Sequence, residues 1–131
     1  MTSQEPLPYL AVKAVMMPRD TNEMGTIFGG VLLSYIDQAG AVGAIHAIDR
    51  AGWPRQDLVT VAMDAVEFHQ PVFVGDVVSF WTQVKQVGTT SITIHVSVEA
   101  EREGQTVRLT EADIVFVAIG DDRRPRPIRG S

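Results

Sequence analysis

The chain has no cysteine, which removes disulfides, thiolate zinc sites and cysteine nucleophiles together. It has three histidines, His46, His69 and His95. Their spacing matches no metal-ligand pattern and none sits in a recognisable nucleophile motif, so no metal site is expected and all three are read as structural or surface residues. Positive charge is also short: 11 Lys and Arg stand against 16 Asp and Glu, a net −5, without the basic face of a general nucleic-acid binder. The start, MTSQEPLPYL, lacks both a basic n-region and a continuous apolar run, so no signal peptide is read and the expected address is the cytoplasm. Neither a composition break nor an internal repeat divides the 131 residues, which suits one domain over 1–131 with flexible tails at 1–8 and 121–131.

What is present is organised around Asp20 to Ile48, DTNEMGTIFGGVLLSYIDQAGAVGAIHAI. Between Glu23 and Asp49 the only charged side chain is Asp37, inside a run of Val, Leu, Ile, Ala and Gly. At about 100° per residue, Leu33, Ile36, Asp37, Gly40, Ala41, Ala44 and Ile48 share one stripe, so the carboxylate is predicted inside the apolar face. Ser34, Gln38, His46 and Asp49 fall on the other side. Desolvating an unpaired carboxylate costs several kcal/mol, so Asp37 needs a partner, a raised pKa or a wet cleft; it either caps a neighbouring group or belongs to a site. A segment carrying Asp37, Gln38, Ser34 and His46 is poorly suited to crossing lipid, and a core helix is the reading.

In chain order, Tyr9 to Met17 has strand content ended by Pro18, and Pro18 to Gly25 is turn chemistry. The helix is predicted from about Gly30 to Ile48, followed by a loop over Ala51 to Gln56. Leu58 to Phe68, Asp76 to Val87, Ser91 to Glu101 and Val107 to Ile119 alternate with period two, with turns at Gly88 and Gly104. The tail, Gly120 to Ser131, carries Arg123, Arg124, Arg126 and Arg129 with two prolines and is predicted extended and exposed. Strand, helix, then four strands predicts an α+β fold, an antiparallel five-stranded sheet around one long helix. One helix covers only part of such a sheet, and a long unpaired edge is a liability, so a homo-oligomer is expected.

Several motifs resemble the single-domain hotdog-fold acyl-CoA thioesterases. They are Pro18, Asp20-Thr21-Asn22, Gly25, Ile27-Phe28-Gly29-Gly30, Asp37 with Ala39-Gly40-Ala41, Phe68-x-x-Pro71 with Gly75-Asp76, and Val87-Gly88-Thr89-Thr90-Ser91. The resemblance implies a βαββββ hotdog fold and a dimer with a continuous sheet, often assembled into a trimer of dimers. It also implies active sites at the dimer interface, where Asn22 and Asp37 act from opposite subunits on acyl-CoA, releasing CoA without a cofactor. Gly88, Thr89, Thr90 and Ser91 would contact CoA; Thr89 stands where relatives often carry a basic residue, and Arg123 in the Arg-rich tail would compensate.

Thioester hydrolysis needs a water or carboxylate nucleophile, a polarised carbonyl and a stabilised oxyanion. Asp37 is the candidate base or nucleophile, and Asn22 is the candidate for orienting water or the thioester. The helix start at Phe28, Gly29 and Gly30 offers backbone N–H groups to an oxyanion. Two readings compete with hydrolysis: a non-catalytic acyl-CoA sensor, disfavoured by the presence of both Asn22 and Asp37, and a hydratase, whose Asp–His pair is missing because His46 lies across the helix from Asp37.

Overall fold

Five stretches rich in Val, Ile, Thr and Phe alternate apolar and polar side chains, a pattern that suits a half-buried pleated surface. In the computed structural model, which describes residues 7–130, they form β1 (Tyr9–Val15), β2 (Asp57–Phe68), β3 (Val77–Val87), β4 (Ser91–Arg102) and β5 (Gln105–Ile119). One long helix, α1 (Gly29–Ala51), lies between β1 and β2 in the chain. The strands pair antiparallel in the order β1-β3-β4-β5-β2, so the element order is the βαββββ of the hotdog fold. The β4–β5 hairpin is as tight as hairpins get: only Glu103 and Gly104 separate the paired Arg102 and Gln105, both with left-handed backbone (φ 52° and 77°).

The helix buries Leu32, Ile36, Ala39, Gly40, Gly43, Ala44 and Ile48 against the inner face of the sheet, where Phe80, Ile94, Val96, Ile114 and Phe116 are almost fully enclosed. Each buried Ile or Phe contributes about 1.5–3 kcal/mol of transfer free energy. The small residues set the approach distance. A Cβ on Gly43 would stand 2.4 Å from Thr82 Oγ1, so the helix can sit this close to β3 only with glycine there. By length and composition α1 could cross a membrane, but its apolar face is packed on the chain's own sheet. It lies over β1, β3 and β4, touches β5 more lightly and scarcely reaches β2. The inner surface near β2 therefore has little helix above it, and β2 is a sheet edge carrying the exposed Val61.

The structure differs from the sequence-based expectations in several places. The buried stripe runs through Ala39 and Gly43, whereas Leu33, Asp37 and Ala41 are half-buried on its flank. Asp37 thus borders the core rather than sitting within it. The helix begins one residue earlier and continues to Ala51, where Gly52 ends it in a left-handed cap (φ 76°). Strand β1 stops at Val15, and Met16 bonds instead to the Asp76 carbonyl. In β2 the strict alternation breaks, because register shifts fall between Thr60 and Ala62 and between Asp64 and Glu67, with Ala65 at φ 52°. The Arg-rich tail is not free along its length. Ile128 is fully buried and its N–H bonds to the Thr89 carbonyl, the Arg126 N–H bonds to the Ala118 carbonyl, and Gln56 donates to the Pro127 carbonyl. One buried isoleucine and these hydrogen bonds dock it among its arginines and prolines. The N-terminal tail expected at 1–8 lies outside the described residues except for Leu7 and Pro8.

Candidate active site

Asp37 sits two turns into α1, on the flank turned toward β2. Its Oδ1 accepts a hydrogen bond of 2.7 Å from the Thr60 hydroxyl, and no cation is paired with it among the described residues. Thr60 comes from β2, 23 positions later, next to one of the strand's bulges. A threonine in a strand looks like ordinary β propensity, and nothing in the sequence distinguishes it from its neighbours. The contact leaves Asp37 Oδ2 without a hydrogen-bond partner among the described residues, a carboxylate oxygen held in place but open.

Asn22 lies in a short hairpin between Thr21 and Ile27, which form an isolated bridge. Its backbone N–H donates to the Thr26 carbonyl (2.8 Å), and the Gly25 N–H donates to its own carbonyl (3.1 Å), with Gly25 at φ 81°. The side-chain carbonyl accepts the N–H groups of Met24 (2.9 Å) and Thr26 (3.2 Å), and the amide nitrogen lies 3.0 Å from Thr26 Oγ1. Two converging backbone donors fix which end of the amide is oxygen. The hairpin is tied to the β2–β3 connection by Ile27 N–H to the Val72 carbonyl (2.7 Å) and to the helix approach by Phe28 N–H to the Asp20 carbonyl (2.8 Å). Within one chain, Asn22 and Asp37 have separate hydrogen-bond partners.

Phe28 is the N-cap of α1 in extended conformation, and no side chain caps the helix. The leading N–H groups at Gly29 and Gly30 therefore lie at the positive end of the dipole without a side-chain acceptor. A Cβ on Gly30 would meet the exposed Phe28 ring at 2.7 Å, whereas one on Gly29 would only touch Phe68 at 3.7 Å. A groove of about 440 Å³ runs from here past Thr26, Phe68 and Pro71. A larger cavity, about 670 Å³, lies under Gly43, His46 and Trp53. His46 is nine residues and therefore about 180° around the helix from Asp37, so that cavity is on the opposite flank. Its size does not make it the chemical site.

The Gly88–Ser91 turn is closed by Gly88 N–H to the Ser91 carbonyl (2.8 Å) and is braced by the tail. Arg129 reaches the Gly88 carbonyl (3.4 Å) and lies over the Trp53 ring at 5.1 Å. Thr89 is exposed, while Gly88, Thr90 and Ser91 are half-buried. Arg123 is exposed in a turn at φ 63°, with its N–H on the Gly120 carbonyl, and its guanidinium makes no ion pair among the described residues.

The most heavily paired charges lie elsewhere, on the outer face of the sheet. Asp113 is bound by Lys85 and by His95 Nδ1 (2.7 Å); Glu111 is bound by His69 (2.7 Å) and by His95 Nε2 (3.2 Å). Burial pushes the Asp113 carboxyl up, but the hydrogen bonds from Lys85 and His95 outweigh it and hold the group below the usual range. Glu111 is lowered first by the His69 hydrogen bond, against burial, with Arg108 and His95 adding to the effect. Asp76 behaves like Asp113: burial raises it, and bonding to Arg102 and to the Phe73 N–H brings it down overall. Glu67, His69 and Glu111 bring donor atoms within 4.8 Å of one another, a cluster sequence spacing could not reveal because two strands contribute. His69 and Glu111 already satisfy each other there. His46 stacks on Tyr9 at 3.7 Å, so all three histidines have structural partners.

Residues 24–107 match the family model described as the thioesterase superfamily. The chain is 37% identical to the acyl-CoA thioester hydrolase YciA of Salmonella typhimurium, covering 98% of this chain and 97% of that one. A hexameric broad-specificity acyl-coenzyme A thioesterase, solved as an aspartate-to-alanine variant, superposes with a TM-score of 0.82 at 36% identity, over 92% of this chain and 86% of that one. The hexameric thioesterase y2039 of Yersinia pestis superposes with a TM-score of 0.79 at 38% identity, over 93% and 96% of the two chains. The fold and these relatives thus define a hotdog-fold hydrolase. The chain belongs to the thioesterase superfamily, and its class of reaction is thioester hydrolysis.

Proposed function

We propose that the chain hydrolyses acyl-CoA to a carboxylate and CoA at a site built by two copies, with Asp37 of one subunit and the partner subunit's Asn22 facing the thioester. The observation that carries this is the Thr60–Asp37 contact: a half-buried carboxylate fixed by a neutral hydroxyl on the flank of α1 facing the free β2 edge. Pairing two β2 edges into one continuous sheet would satisfy that edge and cover Val61. It would also bring a second helix over the part of the sheet that α1 hardly covers. The hexameric relatives support further assembly into a trimer of dimers.

In this reading Asp37 Oδ2 is the working oxygen, because Oδ1 is engaged by Thr60. By one route it takes a proton from water as the water oxygen bonds to the thioester carbon; the C–S bond then breaks and the proton passes to the departing thiolate. By the other, Oδ2 bonds to that carbon, the thiolate leaves, and water opens the resulting anhydride. The uncapped N–H groups at Gly29 and Gly30 stabilise the oxyanion in both. Asn22, with its carbonyl consumed by Met24 and Thr26, contributes as a donor to the thioester oxygen. Gly88, Thr89, Thr90 and Ser91 contact CoA, and Arg123 meets its phosphates.

Free-thiol release from acyl-CoAs of graded chain length tests the activity. Turnover by wild type is the expected result, and binding of CoA esters without thiol release would overturn it. A single turnover in ¹⁸O-water tests the routes: label found in Asp37 establishes an anhydride opened at the aspartyl carbonyl, whereas direct attack by water places label only in the carboxylate product.

A further inference from the structure

The Asn22 carboxamide works only if its free N–H points one way, and the hairpin supplies two kinds of restraint. The Met24 and Thr26 N–H groups converge on Oδ1, at 2.9 and 3.2 Å, and fill both of its lone pairs. Thr26 Oγ1 lies 3.0 Å from Nδ2 and 3.2 Å from Oδ1, against the edge of the amide. With Oδ1 already served, the hydroxyl is best used as the acceptor for one Nδ2–H. That leaves Asn22 a single N–H and no free acceptor, so it can donate to a carbonyl but cannot take a proton from water. The backbone of Thr26 is held independently, by its bridge to Phe73 and by the Asn22 N–H on its carbonyl. Its side chain is therefore free to act on Asn22 without carrying the loop.

We propose that Thr26 is a positioning residue for the reaction, its hydroxyl locking the Asn22 carboxamide so that one Nδ2–H is aimed at the thioester oxygen. The inference rests on the role given to Asn22 above. Valine keeps the branched shape and the χ1 preference of threonine but has no hydroxyl, and serine keeps the hydroxyl. Removing an oxyanion donor outright costs about 10²–10³-fold in kcat, so Asn22→Ala sets the ceiling. Misaiming the donor costs less, and Thr26→Val is expected to lower kcat about tenfold with KM within about twofold.

The test measures kcat and KM for Asn22→Ala, Thr26→Val, Thr26→Ser and the double variant Asn22→Ala/Thr26→Val, each checked for oligomeric size. The proposal expects Thr26→Ser to recover most of the lost kcat and the double variant to be no slower than Asn22→Ala alone. A Thr26→Val effect that multiplies onto Asn22→Ala would overturn it, since Thr26 would then act through something else. Unchanged kcat in Thr26→Val beside a crippled Asn22→Ala would overturn it alone. Wild-type kcat in Asn22→Ala would overturn this inference together with the role of Asn22.

Discussion

Asp37 and Asp113 are both held by side chains from other elements, yet they are held in opposite ways. Asp113, on the outer face of the sheet, is gripped by Lys85 and His95, and its oxygens are committed to an ammonium and an imidazole. Asp37, on the flank of α1, has a single neutral donor, Thr60, and an oxygen to spare. A carboxylate neutralised by fixed cations is a poor base and a poor nucleophile, whereas one oriented by a hydroxyl keeps its charge for the substrate. The lowered carboxyls, Asp76, Glu111 and Asp113, belong to the scaffold. In the proposed reading, cation pairing serves the architecture, and the carboxylate held by a neutral hydroxyl serves the reaction.

Exchanging the two carboxylates for neutral residues breaks that comparison most sharply. Asp37→Asn should remove turnover by about 10³-fold or more while the protein stays folded and assembled, as read by thiol release and size-exclusion chromatography. Thr60→Val should cost less, about tenfold in kcat, because the carboxylate remains and only its aim is lost. Asp113→Ala should leave turnover within about twofold but lower unfolding free energy by about 2 kcal/mol, measured in urea, by stripping Lys85 and His95 of their partner.

The smallest effect is on pH dependence. Asp76, Glu111 and Asp113 have folded pKa values below the ordinary ones of about 4, so the unfolded chain binds protons first. Their contribution is present above about pH 5 and is lost as pH falls through the carboxylate range. Tm should therefore drop between pH 5 and pH 3, and more gently in Asp113→Ala. A Tm that holds constant down to pH 3 would show that these pairs add no net stability.

Much of this was legible in the sequence. Alternating apolar residues punctuated by Gly88, Gly104, Pro18 and Pro71 located every strand, and the glycine-rich run with one charge located the helix and its carboxylate. What escaped did so for physical reasons. Thr60 reaches Asp37 across 23 residues, a contact with no local signature. The bulges in β2 depend on pairing with β5, not on the residues of β2 alone. The His69–Glu111–His95–Asp113 network is spread across separate strands and exists only once they are in register. Among the described residues after Gly120 the tail is exposed as expected apart from Ile128 and Gly130, and its docking through Ile128 and a few backbone hydrogen bonds escaped because composition averages over residues.

The central claim is that each site takes Asp37 from one copy and Asn22 from another. Asp37→Ala and Asn22→Ala, each expected to lose most of its turnover, can be unfolded, mixed in equal amounts and refolded together. Half of the resulting dimers should pair unlike copies, each with one intact site of two, so the mixture should recover about a quarter of wild-type thiol release. A mixture as inactive as its components, with mixed oligomers verified, would contradict the shared site.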